Sequence, residues 1–139
     1  MRIKGVGGEL YFHVLQPDRK LQFGDNRVVE PGSELKAKVQ YTAKGTPRKV
    51  PAECQFGMHG CANVSSYELY AFHRDCWICI VRLWGNVRNF GDKSAALRRK
   101  VVAMRQIGVD GSYPPTRRDE NSNEKIYNWV MAKPYKGVK

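Results

Sequence analysis

One stretch limits the fold more than any other: Cys76-Trp77-Ile78-Cys79-Ile80-Val81-Arg82-Leu83 is apolar at every position until Arg82. A strand with one face in water alternates polar and apolar residues, so an unbroken apolar run of this length reads as a central strand in a sheet covered on both sides. The chain must therefore supply flanking strands and two layers of cover. Its 139 residues suffice for one domain, which would bury about two-thirds of the surface exposed on unfolding. With 42% hydrophobic and 27% charged residues, the composition is that of a folded globular protein and not of a disordered one.

Punctuation places the other elements. Leu10-Tyr11-Phe12-His13-Val14-Leu15 is a short strand closed by the turn Gln16-Pro17-Asp18, and Pro31-Gly32 turns the chain after Arg27-Val28-Val29-Glu30 into a second extended stretch. Residues 36–50 contain Lys36, Lys38, Lys44, Arg48 and Lys49 with no acidic residue, broken by Gly45 and Pro47, as in a basic loop or hairpin. Ser65-Ser66-Tyr67-Glu68 is a capping box with Val64 and Leu69 at the staple positions, predicting a helix over residues 65–73. A second helix is expected to start near Asp92, with Val101-Val102-Ala103-Met104 either continuing it or forming another strand. Residues 109–124 form a polar connection, and Lys125-Ile126-Tyr127-Asn128-Trp129-Val130-Met131 suits an edge strand or short helix. The expected architecture is α+β: a single compact domain with a central mixed or antiparallel sheet and one or two short helices. Residues 1–108 form its core with a basic insertion at 36–51, and residues 125–139 pack on that core or trail from it.

No stretch approaches the roughly 18 apolar residues of a membrane span, and the opening residues MRIKGVGGELYF lack the apolar region of a secretory signal. A cytoplasmic protein without a membrane partner is expected. Reduced cysteines follow from that compartment. Cys54, Cys61, Cys76 and Cys79 gather with His59 and His73 in 26 residues, which raises structural zinc, but only Cys76 and Cys79 have ligand spacing. On a strand, side chains three apart point to opposite faces, so buried thiols are the preferred reading and no metal is assigned. Gly5-Val6-Gly7-Gly8 follows no strand and reads as a flexible terminus, not a dinucleotide loop.

The order Phe12-His13, then Cys54-Gln55-Phe56-Gly57-Met58-His59, a helix, the strand ending at Gly85, and Asp92-Lys93 before Arg98-Arg99-Lys100-Val101-Val102-Ala103 resembles a family of small phage-encoded proteins of unassigned function. The likeness spans residues 10–107 and leaves out the insertion and the tail; it implies the cytosol of a bacterial host. A weaker resemblance is to the ADP-ribosyltransferase fold. It implies NAD as cofactor, with His13 at the nicotinamide end, His59 where a Tyr is usual, and Gln106 nearest the position of the catalytic Glu. A neutral amide cannot balance an oxocarbenium charge as a carboxylate does, so the resemblance implies a degenerate or RNA-directed relative. Apart from that likeness, His13 on an apolar strand suits a buried structural role, whereas His59 is flanked by Gly57 and Gly60, which would let backbone approach a ligand.

Lys and Arg number 24 against 13 Asp and Glu, a net charge of +11, which favours a polyanionic partner. The charge is clustered: Lys36, Lys38, Lys44, Arg48 and Lys49 make one block, Arg98, Arg99 and Lys100 with Arg105 another, and Arg117-Arg118 begin a third. Tyr41, Tyr127, Trp129 and Tyr135 lie among them as candidate stacking rings. Neutralising about five phosphates would give a log–log salt slope of roughly −4 to −5. No recognition motif accompanies these blocks, so backbone or shape, not base sequence, would be read. Three readings follow: an accessory protein binding nucleic acid or a host nucleoprotein complex, needing no cofactor; an NAD- or nucleotide-using transferase; and a stoichiometric protein inhibitor of a host nucleic-acid-handling enzyme.

Overall fold

Residues 10–21, 27–38, 40–51, 58–61, 75–91, 93–115 and 122–137 are described by the structure, a computed structural model. Seven strands, β1 (Leu10–Leu15), β2 (Glu34–Lys36), β3 (Met58–Cys61), β4 (Trp77–Trp84), β5 (Arg88–Phe90), β6 (Lys93–Ala96) and β7 (Arg98–Gln106), form one sheet in the order β2-β7-β4-β1-β3-β6-β5. Every neighbouring pair is antiparallel. The apolar run is the central strand its composition requires: β4 lies between β1 and β7, buried continuously from Trp77 to Val81.

The α+β expectation is overturned. Among the described residues there is one helix, α1 (Ser122–Ala132), against seven strands, so the architecture is mostly antiparallel sheet. The helix expected after Asp92 is instead β6 and the start of β7. Ala95-Ala96-Leu97 and Arg98-Arg99-Lys100 are good helix formers locally. Yet Arg98, Arg99, Lys100 and Val101 alternate exposed and buried, a period of two, and pairing with β4 and β2 rewards that alternation in a way an isolated helix could not. Asp92 itself, the capping-box helix at 65–73, Gly5 to Gly8, Cys54 and Arg117-Arg118 lie outside the described residues.

Between β6 and β7 stands a single residue, Leu97, although the two strands are four places apart in the sheet order. Four strand spacings measure about 19 Å on a flat sheet, while two residue steps reach about 7 Å at most. The sheet must therefore curl until β6 and β7 meet as one bent stave, giving a partly closed barrel. The Leu97 amide donates to Gly85 O at 2.8 Å, and the Ala37 amide donates to Leu97 O at 2.7 Å. Tight curling also explains Gly60 on β3, where a Cβ would fall 2.7 Å from Tyr11 Cβ and 3.4 Å from Val81 Cγ2. That glycine makes room for a neighbouring strand's side chain.

The inner face carries Tyr11, Leu15, Cys79, Val81, Leu83, Ala96, Val101 and Met104, closed over by Val29, Leu21, Leu35 and Tyr135. Arg19 clasps this closure: its guanidinium donates to Glu30 Oε1 at 2.8 Å and lies 5.5 Å from the Trp77 ring and 5.1 Å from that of Tyr135. Leu10, Phe12, Val14, Cys76, Ile78, Ile80, Ala103 and Ile107 form the outer face, on which α1 sets Ile126 and Val130. Cys76 and Cys79 thus stand on opposite faces of the sheet. A bulge between Ile80 and Val81 on β4 sets two of their partners, Val101 and Ala103, around an extra residue, Val102. It lets Arg99 and Val101 face inward in one half of β7 and Met104 in the other.

The C-terminal segment, open between edge strand and helix in the sequence, is helical from Ser122 to Ala132, starting within the stretch expected to be connection. Arg105 locks the helix to the sheet: its Nη1 donates to Trp129 O at 2.7 Å, its Nη2 to Asp110 Oδ2 at 3.2 Å, and its guanidinium lies 4.1 Å from the Trp129 ring centre. The Ser112 amide, then Lys133 and Arg105, hold the Asp110 carboxyl down at about 2.

Candidate nucleic-acid interface

Two cross-strand rows run over the outer face where α1 does not cover it. Register aligns Lys36, Arg98 and Trp84 in one row and Glu34, Lys100 and Arg82 in the next. Between them lies the inward row Leu35, Arg99 and Leu83, so alternation sends the flanking rows outward. Lys36, Arg98, Lys100 and Arg82 are exposed, and Trp84 is half-buried among them. Like charges directly opposite each other destabilise an antiparallel pair, and here Lys36 faces Arg98 and Lys100 faces Arg82. Glu34, on the other side of Lys100, offsets the second pair, so the repulsion that an anionic ligand would relieve is chiefly that between Lys36 and Arg98.

The basic insertion continues from this edge. Tyr41 bridges Pro47, the Thr42 amide donates to Thr46 O at 2.8 Å, the Arg48 amide donates to Gln40 O at 2.7 Å, and the Gly45 amide closes the turn on Thr42 O at 2.9 Å. Gly45 takes the left-handed φ of 78° that this three-residue hairpin turn requires. Every residue from 40 to 50 is exposed, carrying Lys44, Arg48 and Lys49 with Tyr41 at 64%; Lys38, just before, is exposed too. At the base, Asn86 Nδ2 donates to Lys49 O at 2.8 Å and Arg27 Nη1 donates to Lys36 O at 2.8 Å. The arm is thus tethered to the end of the sheet that carries the basic rows.

Not all expected contacts lie at this surface. Arg99 is 2% exposed and its Nη1 crosses the barrel to donate to His59 O at 3.0 Å, while Arg105, 8% exposed, is engaged by α1. Trp129 stands against Arg105 and donates from Nε1 to Ser112 Oγ at 2.9 Å; Tyr135 sits edge-on to Trp77 and Tyr127 packs on the helix-side core. Sequence reading missed Arg82 and Trp84. Arg82 was visible as the first charge to break the apolar run, but only strand pairing shows that it joins Lys100 and lies one row from Trp84.

The residues weighed for transferase chemistry divide differently. His13 lies one residue from Phe12 in a register that sets it opposite Cys79. Burial, then the Arg99 charge and then His59, hold its imidazole well below the ordinary histidine value, so it is neutral at pH 7. Gln106 lies two strands from His13, and its amide donates to Asp75 O at 2.9 Å. The geometry brings His13, His59 and Arg99 within electrostatic reach and leaves Gln106 apart. Burial pushes the Cys79 thiol up to about 12 and also raises that of Cys76, the reverse of a reactive thiolate. Among the described residues no group of three His, Cys, Asp or Glu side chains is placed to hold a metal ion, and no helix is long and apolar enough to cross a membrane.

The state of His13 has a consequence for stability. The unfolded chain takes up a proton at His13 near pH 6.5 whereas the folded chain does not, so below that pH the unfolded state binds more protons. Stability carried by neutral His13 is present above pH 6.5 and declines as the pH falls below it. Urea midpoints measured at pH 7.5 and 5.5 should show wild type losing up to about 1 kcal/mol per pH unit in that window. A His13→Gln variant should lose less; an identical decline in both would rule out His13 as the source.

No protein-family model, curated protein or solved structure matches this chain.

Proposed function

We propose that the protein binds nucleic acid through the outer rows of β2, β7 and β4 together with the tethered hairpin. The observation that carries this reading is the opposition of Lys36 to Arg98, with Lys100 and Arg82 in the next row beside Glu34, on an exposed sheet surface around Trp84. Such pairs cost stability unless an anion lies across them. Eight exposed cations, Lys36, Lys38, Lys44, Arg48, Lys49, Arg82, Arg98 and Lys100, outweigh the one carboxylate of the rows, Glu34, and make this surface electropositive. No backbone or side-chain pattern here supplies a sequence code, so phosphate contacts dominate the affinity.

Fluorescence anisotropy with a labelled oligonucleotide, titrated at salt concentrations from 50 to 300 mM, tests the reading. Four contacts from the rows alone give a log–log slope of about −3.6, and hairpin lysines steepen it. A slope shallower than about −1, or no binding at the lowest salt, would reject it.

A further inference from the structure

Resting on that reading, we infer that the preferred ligand is a B-form DNA duplex and that the hairpin at residues 40–49 enters its major groove. The groove, about 12 Å wide and 8.5 Å deep, admits a two-stranded β-ribbon. This hairpin is such a ribbon: its rungs run from the Gln40–Arg48 pair through Tyr41–Pro47 to Thr42–Thr46. Two residue steps of about 3.4 Å plus the turn carry the tip roughly 10 Å beyond that first pair, which matches the groove's depth.

The distribution of side chains along the ribbon suits insertion. Its end is slim apart from Lys44, since Thr42, Ala43 and Thr46 offer only methyls and hydroxyls, and beside Gly45 nothing lies within 4 Å of where a Cβ would be. Methyls and hydroxyls are the groups that meet thymine methyls and base-edge acceptors in that groove. One cation, Lys44, stands at the tip, where an ammonium meets guanine O6 and N7; the others, Lys38, Arg48 and Lys49, lie toward the base and continue onto the sheet in Lys36 and Arg98, where the phosphates bordering an occupied groove would lie. Asn86 holds the arm at Lys49 and Arg27 holds the end of β2 that leads into it, so little ordering is needed on contact. A-form RNA does not offer this site, because its major groove is too narrow for side chains to read.

The experiment compares a 20-base-pair DNA duplex, its isolated single strand and an RNA duplex of the same sequence at one salt concentration, with wild type and two variants. Wild type should bind the DNA duplex at least about tenfold more tightly than either alternative. Ala43→Trp, at an exposed tip position that does not bear on folding, should weaken duplex binding at least tenfold while leaving single-strand binding unchanged. Dimethyl sulfate probing should show guanine N7 protected in the major groove and adenine N3 unaffected. Equal or tighter binding of single strand or RNA duplex, or adenine protection alone, would overturn the groove model. Arg98→Glu with Lys100→Glu separates the two ideas: if that pair abolishes binding to every probe while Ala43→Trp alters none, the interface stands and groove entry fails.

Discussion

Replacing Arg99 with alanine is expected to cost about 3–5 kcal/mol of folding stability, whereas alanine at its sequence neighbours Arg98 and Lys100 should cost within about 0.5 kcal/mol. All three belong to one basic cluster in the sequence, but the barrel assigns them opposite duties. Arg99 is among the largest fully buried side chains, and its Nη1 meets the carbonyl of His59 on a strand three places away in the sheet order. Truncation removes several buried methylenes, strips the His59 carbonyl of a charged donor and leaves a void where the curled sheet closes. Arg98 and Lys100 point into water. Urea unfolding of the three single variants checks this. A loss at Arg99 of under about 1 kcal/mol would mean that its guanidinium does not brace the barrel.

The second large effect concerns binding. Reversing Arg98 and Lys100 together to glutamate should lower nucleic-acid affinity by about 100-fold or more at 0.1 M salt and reduce the log–log slope by about 1.8, because each lost phosphate contact contributes about 0.9 to that slope. The fold should survive, because both positions are exposed and the attractive pairs gained with Lys36 and Arg82 offset the repulsion that Lys100→Glu creates with Glu34. The variant is therefore expected to match wild type in stability to within about 0.5 kcal/mol while binding worse. Unchanged affinity in a folded variant would move the interface away from the sheet rows.

Local chemistry in the sequence revealed what depends on local chemistry. The apolar run marked β4, Pro31-Gly32 marked the turn into β2, with Gly32 at a φ of 76°, and the acid-free stretch with Gly45 and Pro47 marked the hairpin. Residues 93–106 show the opposite case. Their helix-forming composition is overruled by partners that come from β4, β3 and β2, up to 66 residues away in sequence, as for Glu34 with Lys100. Which arginines meet solvent was hidden for the same reason. A cluster of basic residues reads as one surface until pairing separates Arg98 and Lys100 from Arg99, and until helix α1 takes Arg105 out of water. The proximity of His13 and His59 likewise belongs to strand order, which no motif encodes.

The single-residue hinge at Leu97 and the extra residue at Val102 also bear on how such a chain can change over generations. Substitutions at Arg98, Lys100 or the hairpin alter only what touches solvent, so a binding surface there can be remodelled one side chain at a time. Changes of length are another matter. Losing one residue near Val102 would be absorbed by the bulge, whereas adding one between Arg98 and Arg99 would exchange the inner and outer sides of the strand from there to the bulge, turning Arg99 out of the barrel and Lys100 into it. This stave is therefore open to point mutation and closed to insertion, whereas the hairpin, exposed throughout, can accept changes of length in either direction.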